Sequence, residues 1–249
     1  MYDIARARLS AGLAAAALVM LSGAAAAQEV AIDFGGDGSL SLRTVQLFLL
    51  ITVLSLAPGL AVMITCFPFM VTVLSILRQA IGVQQAPPNM MIVSLALFLT
   101  YFVMEPVFQQ SWTDGIRPGI DGQLEPDEAF ARGLAPFRTF MAGRADPETV
   151  RLLADAADIA APPGLTPETE LRLLIPGFLL SEIQRGFEVG FLVFLPFLII
   201  DLVIAAILMS MGMMMVPPVV VSLPFKLAFF VLADGWSLLA GAMIRGYGS

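Results

Sequence analysis

Between two long apolar segments, roughly 187–208 and 219–240, the chain reads Met209-Ser210-Met211-Gly212-Met213-Met214-Met215-Val216-Pro217-Pro218. Gly212 and the Pro-Pro pair end any helix that enters this stretch, so a turn is expected here. A turn that leaves a membrane for water normally carries polar or charged side chains. This one carries five thioethers and no charge. Methionines are soft and adaptable, and they pack against variable surfaces. The turn is therefore expected to be sheltered inside a protein assembly, as a pore constriction or an assembly contact. Ordinary apolar filling explains any one of these methionines, but five within seven positions is harder to explain that way.

The rest of the composition fits a membrane setting. The chain is 58% hydrophobic and 13% charged, with a mean hydropathy of +0.88. Soluble domains carry about 25% charged residues. The net charge of −7 gives no reason to expect nucleic acid, and most of the acids lie between 114 and 182, outside the apolar segments. There is no histidine, which removes the commonest metal ligand and general base. No catalytic, metal or cofactor-binding residues are expected. Cys66 stands alone, so no intramolecular disulfide forms, and it reads as a small apolar residue at a helix end.

Residues 1–27 read as a cleaved signal peptide. Arg6 and Arg8 form its basic region, Ala11–Leu21 its apolar core, and Ala25-Ala26-Ala27 the small residues before a cut between Ala27 and Gln28. The alternative is an uncleaved membrane helix, but the short core ending in alanines favours cleavage. Residues 28–41 then form a polar periplasmic lead-in. Four apolar segments follow, about Val45–Phe67, Met90–Phe108, Phe187–Leu208 and Val219–Leu239. Each is long enough to cross a hydrocarbon layer of about 30 Å. Met70–Leu77 extends the first segment beyond Pro68, where a kink or break is expected.

The expected fold is all-α. Two apolar helical hairpins, 42–108 and 173–249, flank a small polar helical subdomain at 109–172 on the periplasmic side, and the chain assembles into a helical oligomer. Three helix starts are visible in the polar stretch. Glu125-Pro126 opens one, with Phe130, Leu134 and Phe137 on one face. Asp146-Pro147 opens a second, with Asp146 as its cap. Thr166-Pro167 opens a third. With the signal removed, four crossings leave both ends and the polar stretch outside the cytoplasm. The cytoplasmic turns hold only Arg78, whereas the polar stretch holds six arginines; long translocated segments are largely exempt from the positive-inside rule. Gly82 and Gly212 each precede a Pro-Pro pair (Pro87-Pro88, Pro217-Pro218) by five positions, so the two turns look like a repeat. Gln84 and Gln85 occupy the first turn where methionines occupy the second.

Glu182, Arg185, Glu188, Asp201, Lys226 and Asp234 lie in or beside the last two apolar segments. Each ionisable group at bilayer depth costs about 2.5–3.5 kcal/mol on insertion scales, so such groups are kept only when paired or facing a polar interior. Glu182 and Arg185 share a helix face. Lys226 is a partner for Asp201 or Asp234 across the hairpin. Packing ion pairs are one reading; a proton or ion path is the other, and it makes a small-solute or ion transporter using Asp201 and Lys226 the alternative function. Pro58, Pro68, Pro106, Pro176, Pro196 and Pro224 interrupt or bound the apolar segments. They require neighbours to satisfy the carbonyls they free, which favours tight packing in an oligomer.

Two stretches resemble the FliP family of flagellar biosynthetic proteins. The first is Gly82–Asn89 with Leu95–Met104. The second runs from Ser181-Glu182 through Gly190-Phe191, Phe194–Val203, Met213–Pro218 and Ser222–Lys226 to Asp234-Gly235-Trp236. The resemblance implies a subunit of the flagellar type III export gate. Such subunits assemble in several copies with FliQ and FliR, and with FlhA and FlhB as further partners, in the basal body at the bacterial inner membrane. Unfolded flagellar proteins pass through the centre. The resemblance also implies that Met209, Met211, Met213, Met214 and Met215 form a gasket around the channel. The chain departs from the family at Phe69, where a basic residue is usual, and near Gln184, where a lysine is usual and Arg185 supplies the charge one position on.

Overall fold

A computed structural model describes residues 40–83, 87–213 and 215–247, with side chains from Thr44 onward. The expected signal peptide with its cut at Ala27 and Gln28, nearly all of the lead-in, Gln84, Gln85 and Met214 lie outside the described residues. The chain divides into two units, Met1–Leu54 and Ser55–Ser249. The described part of the first is a single run of helix.

The fold is all-α; among the described residues there is no strand. The helices are α1 Leu40–Met63, α2 Phe67–Ile81, α3 Asn89–Ser111, α4 Arg117–Ile120, α5 Pro126–Arg144, α6 Pro147–Ala156, α7 Leu171–Ser210, α8 Pro218–Leu232 and α9 Gly235–Arg245. A π-helical turn, Trp112–Ile116, joins α3 to α4. Thr44–Met63, Asn89–Ile120 and Leu171–Ser210 are long and apolar enough to cross a membrane, and α8 with α9 makes a fourth such segment bent by 61°.

The core of the second unit is built around α2. It follows a break at Ile64-Thr65-Cys66, where the Thr65 hydroxyl donates to the Val62 carbonyl at 3.0 Å. The break falls before Pro68, because proline at the start of a helix forfeits no intrahelical bond, and α2 begins at Phe67. Phe69, Met70, Val73, Leu74 and Leu77 are buried against Ile92, Ala96 and Leu99 of α3 and Phe197 of α7. α7 comes close to α2 at two glycines. A Cβ on Gly190 would sit 2.3 Å from Ile76 Cδ1, and one on Gly186 would sit 3.0 Å from Thr72 Cβ. A second core joins α5, α6 and the start of α7 through Met141, Val150, Leu174 and Phe178.

Several local expectations are corrected. The second apolar segment does not stop at Phe108: helix continues to Ile120, because Gly115 lets the π-helical turn lie directly on α5. α5 opens at Pro126 as expected, but Phe130 is exposed and only Leu134 and Phe137 of the expected face turn inward. Asp146 caps α6, its carboxylate accepting from the Thr149 amide at 2.9 Å. Thr166-Pro167 opens no helix. There the Thr166 amide donates to the Thr169 hydroxyl at 3.1 Å and closes a turn, and α7 starts at Leu171.

Candidate functional site

The methionine turn begins inside the last turn of α7. Gly212 is left-handed at φ +74°, and the Met213 amide donates to the Leu208 carbonyl at 3.0 Å. This is a glycine C-cap that satisfies the carbonyls at the helix end. Pro217 is extended and α8 starts at Pro218. The one polar side chain, Ser210, is bonded back to the Ile207 carbonyl at 2.7 Å. The surface offered outward is thioether: Met215 is 96% exposed, Met209 and Met211 65%, and Met213 37%. The first turn has matching anatomy. Gly82 is left-handed at φ +86°, its amide donates to the Arg78 carbonyl at 3.3 Å, and Pro87-Pro88 lead into α3. Arg78 reaches across that turn to the Asn89 side chain.

A buried ion pair ties the two turns' helices together. Lys226, 3% exposed, donates to Asp201 Oδ2 at 2.6 Å and to the Ala80 carbonyl at 3.0 Å. Ser222 donates to Asp201 Oδ1 at 2.5 Å. One ammonium therefore joins α7, α8 and the C-terminal end of α2, where unsatisfied carbonyls concentrate partial negative charge. The sequence offered Lys226 either Asp201 or Asp234 and could not show Ala80, because a backbone carbonyl far off in the chain carries no side-chain signal. Asp234 lies elsewhere. It is left-handed at φ +48° at the α8–α9 bend and accepts from the Ser237 hydroxyl at 3.0 Å.

Glu182 sits in a second buried cluster, fully enclosed by protein. Arg185 Nη1 is 3.3 Å from Glu182 Oε1, and Arg144 Nε is 3.5 Å from it, within ion-pair range but without hydrogen-bond geometry. The Tyr247 hydroxyl donates to Glu182 Oε2. The Arg144 guanidinium lies 4.1 Å over the Tyr247 ring, and Arg144 Nη1 donates to the Gly246 carbonyl at 2.9 Å. Sequence reasoning missed Arg144 and Tyr247; the only available signal was a polar-tipped aromatic in the closing residues. Phe69 meets the Tyr247 ring edge-on at 5.4 Å, so it fills apolar space while Arg144 supplies charge to Glu182. Burial, then the Glu182 carboxylate, pushes the Tyr247 hydroxyl well above its ordinary value. Burial pushes the Cys66 thiol up to about 12, so it stays protonated and inert.

Ser222 spends its proton on Asp201, and Lys226 donates to that same carboxylate. Among the described residues no group of side chains could hold a metal ion. The decisive comparison is with known proteins: the FliP family profile matches residues 50–243. The chain belongs to the FliP family. The flagellar biosynthetic protein FliP of Caulobacter vibrioides is 49% identical over 246 residues, covering 98% of this chain and 92% of that one. The FliP of Agrobacterium fabrum is 45% identical, covering 93% and 96%. That of Bacillus subtilis is 42% identical, covering 82% and 92%. This FliP family member is therefore a flagellar biosynthetic protein and not an enzyme.

Proposed function

We propose that the chain is a subunit of the flagellar type III protein export gate and that its methionine turn rims and seals the central conduit. Further copies of the chain, FliQ and FliR build the gate, FlhA and FlhB adjoin it, and unfolded flagellar proteins pass through. The gate sits in the basal body at the bacterial inner membrane, with the subdomain at 109–172 on the periplasmic side and the apolar hairpins 42–108 and 173–249 forming the wall.

One observation carries this reading: a FliP family member ends its longest apolar helix in a turn whose outward surface is methionine and whose only hydroxyl is already bonded. Flexible thioethers close on one another when the conduit is idle and yield around polypeptides of varied shape. Gly82, Pro87, Pro88, Gly212, Pro217 and Pro218 set the two turns, and Lys226 with Asp201 fixes their helices against one another. The competing reading, a small-solute or ion transporter, needs Asp201 and Lys226 free for a substrate, and both are engaged. Replacing Met213, Met214 and Met215 by alanine is expected to raise ion leakage through the assembled gate while export continues. An unchanged leak would remove the seal. Substrate-dependent flux by this chain alone in liposomes would select the transporter.

A further inference from the structure

We propose that Met209, Met211 and Met215 are a reversible oxidation site, and that converting their thioethers to sulfoxides opens the seal. The inference rests on the conduit reading above and adds a chemical control to it. Three observations support it. These side chains are the most exposed of the described methionines in the turn, with Met215 almost wholly uncovered. The turn holds no other polar side chain than Ser210, and that hydroxyl is committed to Ile207, so the seal is dry only while the sulfurs stay apolar. The methionines in the core, Met70, Met104 and Met141, are fully buried and serve as unreactive references.

The oxidant is a peroxide. A sulfur lone pair attacks one peroxide oxygen, the S–O bond forms and the O–O bond breaks. The leaving hydroxide takes the proton carried by the transferred oxygen and departs as water. Sulfur loses two electrons and the peroxide gains them. A peroxide molecule is close to water in size, so it reaches the outer edge of the rim from the water-filled mouth of the conduit without crossing the seal. The product is a polar, chiral side chain that disrupts methionine-rich contacts, and methionine sulfoxide reductases reverse the change. In a ring of copies each oxidised turn places its sulfoxide oxygens on the same constriction, and water follows.

The test uses the full chain, assembled and reconstituted in liposomes, treated with hydrogen peroxide and followed by peptide mass spectrometry and ion leak. Sulfoxide is expected at Met209, Met211 and Met215 roughly tenfold or more faster than at Met70, Met104 and Met141, because oxidation follows exposure. Leak should rise with it and fall again after treatment with both reductases. A variant with Met209, Met211, Met213, Met214 and Met215 all replaced by leucine stays apolar and should be tight and indifferent to peroxide. Complete sulfoxidation without leak overturns the inference, as does an equal peroxide-induced leak in the leucine variant. If that variant does not assemble, the peroxide and reductase cycle on the unaltered chain decides: a leak that fails to follow sulfoxide in both directions overturns it. The alanine variant, measured alongside, separates the two ideas. If it leaks while the sulfoxidised chain does not, the seal stands and oxidation control falls. If neither leaks, the seal itself has failed.

Discussion

Lys226 is the only lysine in the chain, and it is held among apolar helices by one carboxylate and one carbonyl. An ammonium taken out of water is tolerated only when attraction and hydrogen bonds offset its lost hydration. The two partners are not equivalent: the Asp201 side chain is 27% exposed while that of Lys226 is 4% exposed. Asp201→Ala strands a charge with no access to water, at a cost of about 3–5 kcal/mol. Lys226→Met leaves a carboxylate that is less enclosed and keeps its bond from the Ser222 hydroxyl, and should cost less. Thermal midpoints in detergent are expected to fall in that order, and the double change Asp201→Leu with Lys226→Met should recover most of the loss. Equal midpoints for the single variants would show that the pair is not buried as described. The need for a partner was legible in the sequence because the cost of an unpaired lysine is large and general. The identity of the third partner, Ala80, was not, since any carbonyl would serve. Asp146 offers a pH test. The Thr149 hydroxyl, then the Thr149 amide, holds its carboxyl below the ordinary value of 3.8. A depressed folded-state value means the contribution is complete above 3.8 and is lost as pH falls through the lower folded value. Hydrogen exchange across α6 should be faster in Asp146→Ala at neutral pH, and the difference from the unaltered chain should vanish at strongly acid pH.

At the scale of elements, the crossing of α5 over the π-helical turn brings two backbones into close contact. A Cβ on Gly115 would lie 2.2 Å from the Gly133 nitrogen and 2.8 Å from the Ala129 carbonyl oxygen. Both obstacles are backbone and cannot rotate away. The Ser111 hydroxyl, one helical turn earlier, donates to the Gly133 carbonyl at 2.7 Å and fixes the register. Gly115→Ala should force the helices apart and cost at least about 1–3 kcal/mol, as overpacking does. Gly133→Ala meets nothing nearer than 3.6 Å, and the gain of about 1 kcal/mol in helix propensity should make it neutral or better. Limited proteolysis between α4 and α5 would check this: cleavage should speed up for the first variant alone, and equal rates would refute the crossing. The same contact explains what the sequence hid. Apolar runs marked helices wherever they were long, and the capped start of α6 was readable from Asp146-Pro147. The extension of α3 through Trp112–Ile116 was not, because its driving force is the fit of Gly115 on the backbone of a different element. Thr166-Pro167 looked like a helix start, but the Thr169 hydroxyl competes for the Thr166 amide and makes a turn. The bend at Asp234 was hidden in the same way: Gly235 lies flat on the Phe230 ring, where a Cβ would be 2.2 Å from a ring carbon, and no pattern of hydropathy encodes that.

At the scale of the whole molecule, the matter is what covers the apolar faces. Along α7, Phe187, Phe191, Leu192, Ile199, Leu202 and Val203 are exposed. Lipid satisfies such side chains as well as protein does, so exposure alone does not choose between them. The prolines within α7 do. Pro196 brings no amide and leaves the Leu192 carbonyl without its helical donor. In hydrocarbon an unsatisfied carbonyl costs several kcal/mol, so such a site favours a neighbour that can donate to it, and a packed polypeptide supplies one. On the export-gate reading that neighbour is another copy or another subunit. Cysteine chemistry can test this with little background, because the chain holds a single thiol, Cys66, which is buried and protonated. Phe191→Cys and Ile199→Cys chains, purified together in mild detergent and oxidised, are expected to give disulfide-linked dimers. The native particle should run as several chains. Cys66 on its own should give no crosslink. If both variants remain monomeric under oxidation and the particle has the mass of one chain with its detergent, lipid is the cover, and a gate built from repeated copies of this helix surface is excluded.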